Sequence, residues 1–187
     1  MGLDGGGKMI EMVIDSIRAS LVNHQRVVIL KEKEAERYLP IWVGPVEADA
    51  IAVKLHQVNI PRPLTHDLLS SVVHALGASV KFIFIDDLRD DTFFAKVNLS
   101  IDGKQVEVDS RPSDAMALAV RVSAPIFADI AVLNKAGFVL DREGNPTPMN
   151  PEANVGESVS EDELNRLSVF SDFINSLDMS DFDKGKD

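Results

Sequence analysis

The stretch VKFIFIDDLRDDTFFAKVNLSIDGKQVEVD, Val80 to Asp109, decides the fold. Val80 to Ile85 is apolar on both faces, as in a strand covered on both sides, and it runs into the acidic loop Asp86-Asp87-Leu88-Arg89-Asp90-Asp91. Alternation follows, with Phe93, Ala95, Val97, Leu99 and Ile101 on one face. Asp102-Gly103 has the chemistry of a tight hairpin turn, and Lys104 to Asp109 returns alongside. Three consecutive strands of this kind predict a meander.

Upstream, Ile10, Met12 and Ile14 alternate with Glu11, Val13 and Asp15, and Arg26 to Leu30 and Tyr38 to Val43 give two more β-rich runs around the charged segment Lys31 to Arg37. Gly44-Pro45 breaks the pattern. Ala48, Ile51, Ala52, Leu55 and Val58 then recur at helical spacing, with Pro45 suited to the first helical position. A second helix is expected from Thr65 as N-cap, with Leu68, Leu69, Val72, Val73 and Leu76 as its apolar stripe and Gly77 as its stop. A third opens at Pro112, reaches about Val122 and turns Ala115, Leu118, Ala119 and Val122 inward, before a short strand at Pro125 to Phe127. The expected fold class is α+β: a mixed, mostly antiparallel sheet covered by helices, in one domain over residues 9–140. Residues 1–8, Gly-rich, read as a flexible N-terminal extension or a cloning remnant. Residues 141–187 read as an acidic linker with a C-terminal helix from Glu161 to Leu177 that carries Leu164, Leu167, Phe170, Phe173 and Ile174.

Composition narrows the functions. With 187 residues and 45% hydrophobic content the chain has material for one ordinary core without staples. The absence of cysteine removes disulfides and thiolate metal sites and fits a reducing, cytoplasmic setting. No apolar run has the length of a membrane span, so no membrane partner is expected. A net charge of −11 argues against coating nucleic acid by bulk electrostatics. The charge is uneven, however: residues 141–187 hold 12 acids against 4 bases, which leaves 18 against 15 for residues 1–140. A local basic cleft therefore stays open to the domain.

Arg62-Pro63 and Arg111-Pro112 each set an arginine at a helix start, where unpaired N–H groups and the dipole favour an anion. Two such starts suggest a phosphate site, although proline opens helices whatever precedes it. Glu47, Asp67 and Asp114 sit in the first turns of the three helices. Such carboxylates offset the dipole in any protein; alternatively, together with Asp86, Asp87 or Asp109, they hold a divalent cation that activates water. His66, between Thr65 and Asp67, suits acid–base chemistry near neutral pH or a plain surface position. His24, His56 and His74 read as solvated, and Trp42, inside a strand-like run, as core.

The segments Tyr38-Leu39-Pro40-Ile41-Trp42-Val43-Gly44 with Glu47-Ala48, Arg62-Pro63-Leu64-Thr65-His66-Asp67-Leu68-Leu69, Asp86-Asp87-Leu88 to Thr92-Phe93-Phe94-Ala95, and Val108-Asp109-Ser110-Arg111-Pro112-Ser113-Asp114-Ala115 resemble, in this order, the bifunctional nuclease domain family. The resemblance spans roughly Met9 to Leu140. It implies hydrolysis of phosphodiester bonds in DNA and RNA, with a divalent cation (Mg or Mn) as candidate cofactor, nucleic acid as substrate, a cytoplasmic setting and a homo-oligomer. Carried over position by position, it nominates Glu47, His66, Asp67, Asp109 and Asp114 as catalytic and Arg62 and Arg111 as phosphate-binding, with the metal ligands unassigned. Asp91 stands where the family usually has glycine before Thr-Phe, and Ser110 where it usually has alanine. A second function class remains beside the nuclease: a non-catalytic oligomeric module that binds a phosphorylated ligand or nucleic acid in a regulatory role at the same helix starts.

Overall fold

Each period-two run becomes a strand in the computed structural model, which describes residues 7–19, 26–143 and 145–149. β1 (Met9–Ala19), β2 (Arg26–Glu32) and β3 (Arg37–Val43) lead into α1 (Pro45–Leu55) and α2 (Thr65–Ala75). The meander follows as β4 (Ala78–Arg89), β5 (Thr92–Ile101) and β6 (Lys104–Ser110). α3 (Pro112–Val122) then crosses back to β7 (Ile126–Asp129), and α4 (Ile130–Ala136), β8 (Phe138–Leu140) and β9 (Pro146–Pro148) complete the order. Among the described residues the strands form one sheet, β6-β5-β4-β7-β1-β2-β3-β8-β9. β4 and β7 run parallel and every other neighbouring pair is antiparallel. The chain is α+β with a mixed, mostly antiparallel sheet, as the patterning indicates.

Two boundaries differ from the sequence reading. The acidic run from Asp86 is strand as far as Arg89, and the turn is only Asp90-Asp91, both with positive φ (46° and 56°). The sheet also continues past Leu140, where Pro146 to Pro148 pair with Leu140 to Phe138. Proline is tolerated there because β9 is an edge strand. His24, most of residues 1–8 and the helical stripe of Glu161 to Leu177 lie outside the described residues.

Bulges explain why apolar spacing in the long strands is not uniform. β1 turns Ile10, Met12 and Ile14 to the core, slips between Ile14 and Ser16, and continues with Ile17. β4 slips twice, between Val80 and Phe82 and between Ile85 and Asp87, so its core positions run Val80, Ile83, Ile85, Leu88. One extra residue at each bulge moves the hydrophobic set by one position and keeps it facing inward. Phe82 falls on the opposite face, edge-on to Phe127 at 5.6 Å.

On the core side the sheet carries α3, which packs on β4 and β5 and is flanked by α1 and α2. Seven α3 residues are buried, Pro112, Ser113 and the run Ala115 to Ala119. The alanines have no side chain to hold the helix away, so its backbone lies close to the sheet, and Met116 and Leu118 fill the remaining space. α2 contrasts with it. None of its residues is buried, and Leu76 is 73% exposed in the stripe that the sequence pattern would turn inward. Trp42, expected in the core, is instead 37% exposed, because Leu39 and Ile41 take the core positions of β3 and Trp42 shares the other face with its partner Val27.

Gly137 and Ser123 carry opposite predictions. A Cβ at Gly137 would stand 2.3 Å from the Leu133 carbonyl oxygen, so Gly137→Ala should cost about 1–3 kcal/mol in urea unfolding. Ser123 closes α3 in the left-handed region (φ 56°, ψ 36°), where a Cβ is strained, so Ser123→Gly should gain about 0.5–1 kcal/mol in the same measurement.

Candidate functional site

Three helix beginnings supply the site, and local sequence explains each. α1 has Gly44 as N-cap and Pro45 in its first turn; α3 has Arg111 as N-cap and Pro112 in its first turn. α2 starts one residue earlier than the hydroxyl of Thr65 suggests. Its N-cap is Leu64, because Asp67 Oδ2 accepts the Leu64 backbone N–H at 2.8 Å. A Cβ at position 44 would meet the end of the Glu47 side chain, so a larger residue there would make that carboxylate move.

The three starts are joined by a continuous chain of polar contacts. Glu47 Oε1 of α1 meets Arg111 Nη2 at 3.0 Å. Arg111 Nε donates to Asp114 Oδ2 at 2.7 Å, and Asp114 Oδ1 lies 3.1 Å from His66 Nε2 of α2. A carboxylate only accepts, so Nε2 carries the proton and Nδ1 of a neutral His66 is left as a base. His66 is 12% exposed at its side chain and Arg111 67%, so the chain runs from a sheltered imidazole to an accessible guanidinium. Burial pushes the Asp114 carboxyl up, but hydrogen bonds and charge from Arg111 and His66 outweigh it and hold the group below its ordinary value. The hydrogen bond that Arg111 donates to Asp114, the charge of that carboxylate and that of Glu47 raise Arg111 above its ordinary value.

Arg111 also stands at a groove of about 250 Å³ between the end of β3 (Ile41 to Gly44), the β4–β5 turn (Asp91 to Phe93) and the start of α3 (Arg111 to Ser113). Its guanidinium uses Nε and one Nη2 hydrogen in the contacts above, which leaves other N–H groups for a ligand.

Of the residues singled out from sequence, Glu47, His66, Arg111 and Asp114 are therefore brought together. Asp67 is adjacent but engaged elsewhere: Oδ1 accepts from Arg121 Nε at 2.7 Å while Oδ2 caps α2. Burial raises its carboxyl, and the Leu64 N–H and the Arg121 guanidinium more than reverse this, leaving it below its ordinary value. Arg62, exposed before α2, and Asp109, exposed on β6 opposite Lys96, make no side-chain hydrogen bond or ion pair among the described residues and stay outside the chain. Asp86 and Asp87 pair instead with Lys96 and Arg89. Sequence reading missed Arg121. Its signal is a charge in the apolar run Ala115 to Val122, seven residues after Asp114 and hence on the same side of the helix.

A divalent cation does not fit this arrangement. Among the described residues no three His, Asp or Glu side chains come together as a ligand set, and the two carboxylates nearest one another through the chain, Glu47 and Asp114, are both engaged by Arg111. Mg or Mn would need several oxygen ligands in place of that guanidinium.

Comparison with known proteins agrees with the resemblance. Residues 28–141 match the family model described as the bifunctional nuclease domain, a span that contains every residue of the polar chain. An uncharacterized protein of Mycobacterium tuberculosis (strain CDC 1551 / Oshkosh) is 40% identical over 174 residues, 93% of this chain and 98% of that protein. Bifunctional nuclease 1 of Oryza sativa subsp. indica is 26% identical over 128 residues, 67% of this chain and 38% of that protein. Bifunctional nuclease 2 of Arabidopsis thaliana is 29% identical over 106 residues, 55% of this chain and 32% of that protein.

The depressed carboxyls fix a pH dependence. Asp67 in the folded protein holds its proton less tightly than at the ordinary value of 3.8, so its stabilisation is complete above that value and is lost as pH falls through the folded value. Asp67→Asn should accordingly be less stable than the unsubstituted protein at pH 7, and the gap should narrow as pH falls below 3.8 and through the folded value, read by urea unfolding across pH.

Proposed function

The chain belongs to the bifunctional nuclease domain family, and on that premise we propose that it hydrolyses phosphodiester bonds in DNA and RNA, with the Glu47–Arg111–Asp114–His66 chain as its reactive centre. The observation that carries this reading is the hydrogen-bonded pair His66 and Asp114 next to an exposed arginine at the mouth of a groove. Arg111 holds a phosphate of the strand by charge-assisted hydrogen bonds. Asp114 orients the imidazole, as a carboxylate does for a catalytic histidine in other hydrolases. Nδ1 of His66 takes a proton from water as the water oxygen bonds to phosphorus. The bond from phosphorus to the leaving sugar oxygen breaks, and that oxygen is protonated from the imidazolium or from solvent.

The remaining residues have supporting parts in this scheme. Glu47 keeps Arg111 oriented until the phosphate arrives. Arg62 contacts a neighbouring phosphate along the strand, Asp109 borders the strand's path, and Asp67 acts through α2. The setting is cytoplasmic, in keeping with a chain that has no cysteine and, among its described residues, no helix long and apolar enough to cross a membrane. The working unit is a homo-oligomer, which the exposed stripe Leu68, Leu69, Val72 and Leu76 of α2 supports.

A specific observation favours a second reading, a regulatory module that binds a phosphorylated ligand or nucleic acid without cleaving it. The site arginine is already paired with two carboxylates, and the donor set does not fit a cation.

Nuclease assays on single- and double-stranded DNA and RNA, with and without a chelator, separate the two. His66→Ala should lower cleavage about 10²–10⁴-fold, the range of a general acid–base group, while leaving strand binding intact. Arg111→Ala should weaken both binding and cleavage. Cleavage by both variants at the unsubstituted rate would mark the activity as a contaminant and leave the binding module. Leu68→Glu with Leu76→Glu should convert the oligomer to monomer in sedimentation velocity, and an unchanged sedimentation coefficient would remove α2 as the interface.

A further inference from the structure

α3 is fixed by its buried face, but α2 has no buried residue, so apolar packing alone does not determine where His66 stands. One side chain reaches all three helices. Arg121, in the last turn of α3, is 3% exposed at its side chain. Its Nε donates to Asp67 Oδ1 of α2 at 2.7 Å, and its Nη1 donates both to the Ala50 carbonyl of α1 at 3.0 Å and to the Ala117 carbonyl of its own helix at 2.8 Å. Asp67 passes the constraint on, since its other oxygen accepts the Leu64 N–H that begins α2. His66 is the next residue along, 3.1 Å from Asp114.

We propose that Arg121 is a positioning residue: acting through Asp67, it sets the first turn of α2 so that His66 Nε2 meets Asp114, and through Ala50 it holds α1 in the same frame. The planar guanidinium is suited to this because its donors point in fixed, divergent directions. A lysine ammonium has the charge but not that geometry, and its stem would have to choose among the three acceptors. Arg121 is too sheltered to touch a polynucleotide. The consequence for cleavage rests on the nuclease reading, whereas the geometric claim does not, and the experiment reads the geometry without substrate.

The full chain would carry Arg121→Lys, Asp67→Asn, both together, and, as a control of comparable destabilisation, Ile29→Ala in the second apolar cluster on the opposite sheet face. Two signals are read: the ¹⁵N resonances of the His66 ring, which report the hydrogen bond at Nε2, and amide hydrogen exchange across Thr65–Ala75. Arg121→Lys should move the His66 resonances and speed α2 exchange about tenfold or more relative to β4 and β5, the scale of one lost charged hydrogen bond. Asp67→Asn, the milder change, should move the same resonances the same way, and the double variant should add little to either single change. Ile29→Ala should leave the His66 ring where it is. The proposal is overturned if the His66 resonances and α2 exchange in Arg121→Lys and Asp67→Asn match the unsubstituted protein, or if Ile29→Ala shifts them equally. An inactive protein with these shifts intact would count against the nuclease reading alone.

Discussion

Everything in the site is referred to the packing of α3 on β4 and β5. Its sheet-facing residues are mostly alanine, so the helix backbone lies close against Ile83, Ile85, Ala95 and Val97 with little freedom to shift. Arg111 and Asp114 at one end of this helix and Arg121 at the other are thereby fixed relative to the sheet. α1 and α2 flank α3 and are located by what they share with it.

The site concentrates charge at helix starts and compensates it internally. Glu47 and Asp114 each answer the positive end of a helix dipole and also the same guanidinium, so four stabilising relations converge on few atoms. Partly exposed ion pairs contribute modestly when isolated. Their value here is orientation: Arg111 is held at the edge of the groove between two carboxylates, and His66 is held with a defined tautomer. Asp67, which by spacing looks equivalent to Glu47 and Asp114, is used differently because a sheltered arginine faces it.

Much of the fold was legible in local pattern. Alternation over Phe93 to Ile101, the Asp102-Gly103 turn and the proline at the start of α1 and α3 led to the observed elements, because backbone geometry imposes periods of two and 3.6 on any buried face. Reading failed where a strand changed phase. Bulges in β1 and β4 shift the inward set by one residue, and no local rule marks where they fall. The helix α2 was legible, but its apolar stripe, which looks like a core face, is mostly exposed, and α4 and β8 are too short to show a period.

The candidate site divides along the same line. Sequence alone determined that three helices begin with acidic first turns and that Arg-Pro precedes two of them, since capping and dipole chemistry are decided within a few neighbouring residues. Only the tertiary structure decided that Arg111 and not Arg62 joins the carboxylates, that His66 pairs with Asp114 across 48 positions of chain, and that Arg121 binds Asp67 across 54. Such pairings depend on how far each helix stands from the sheet and on what packs between them, quantities that the whole core sets and no short segment contains.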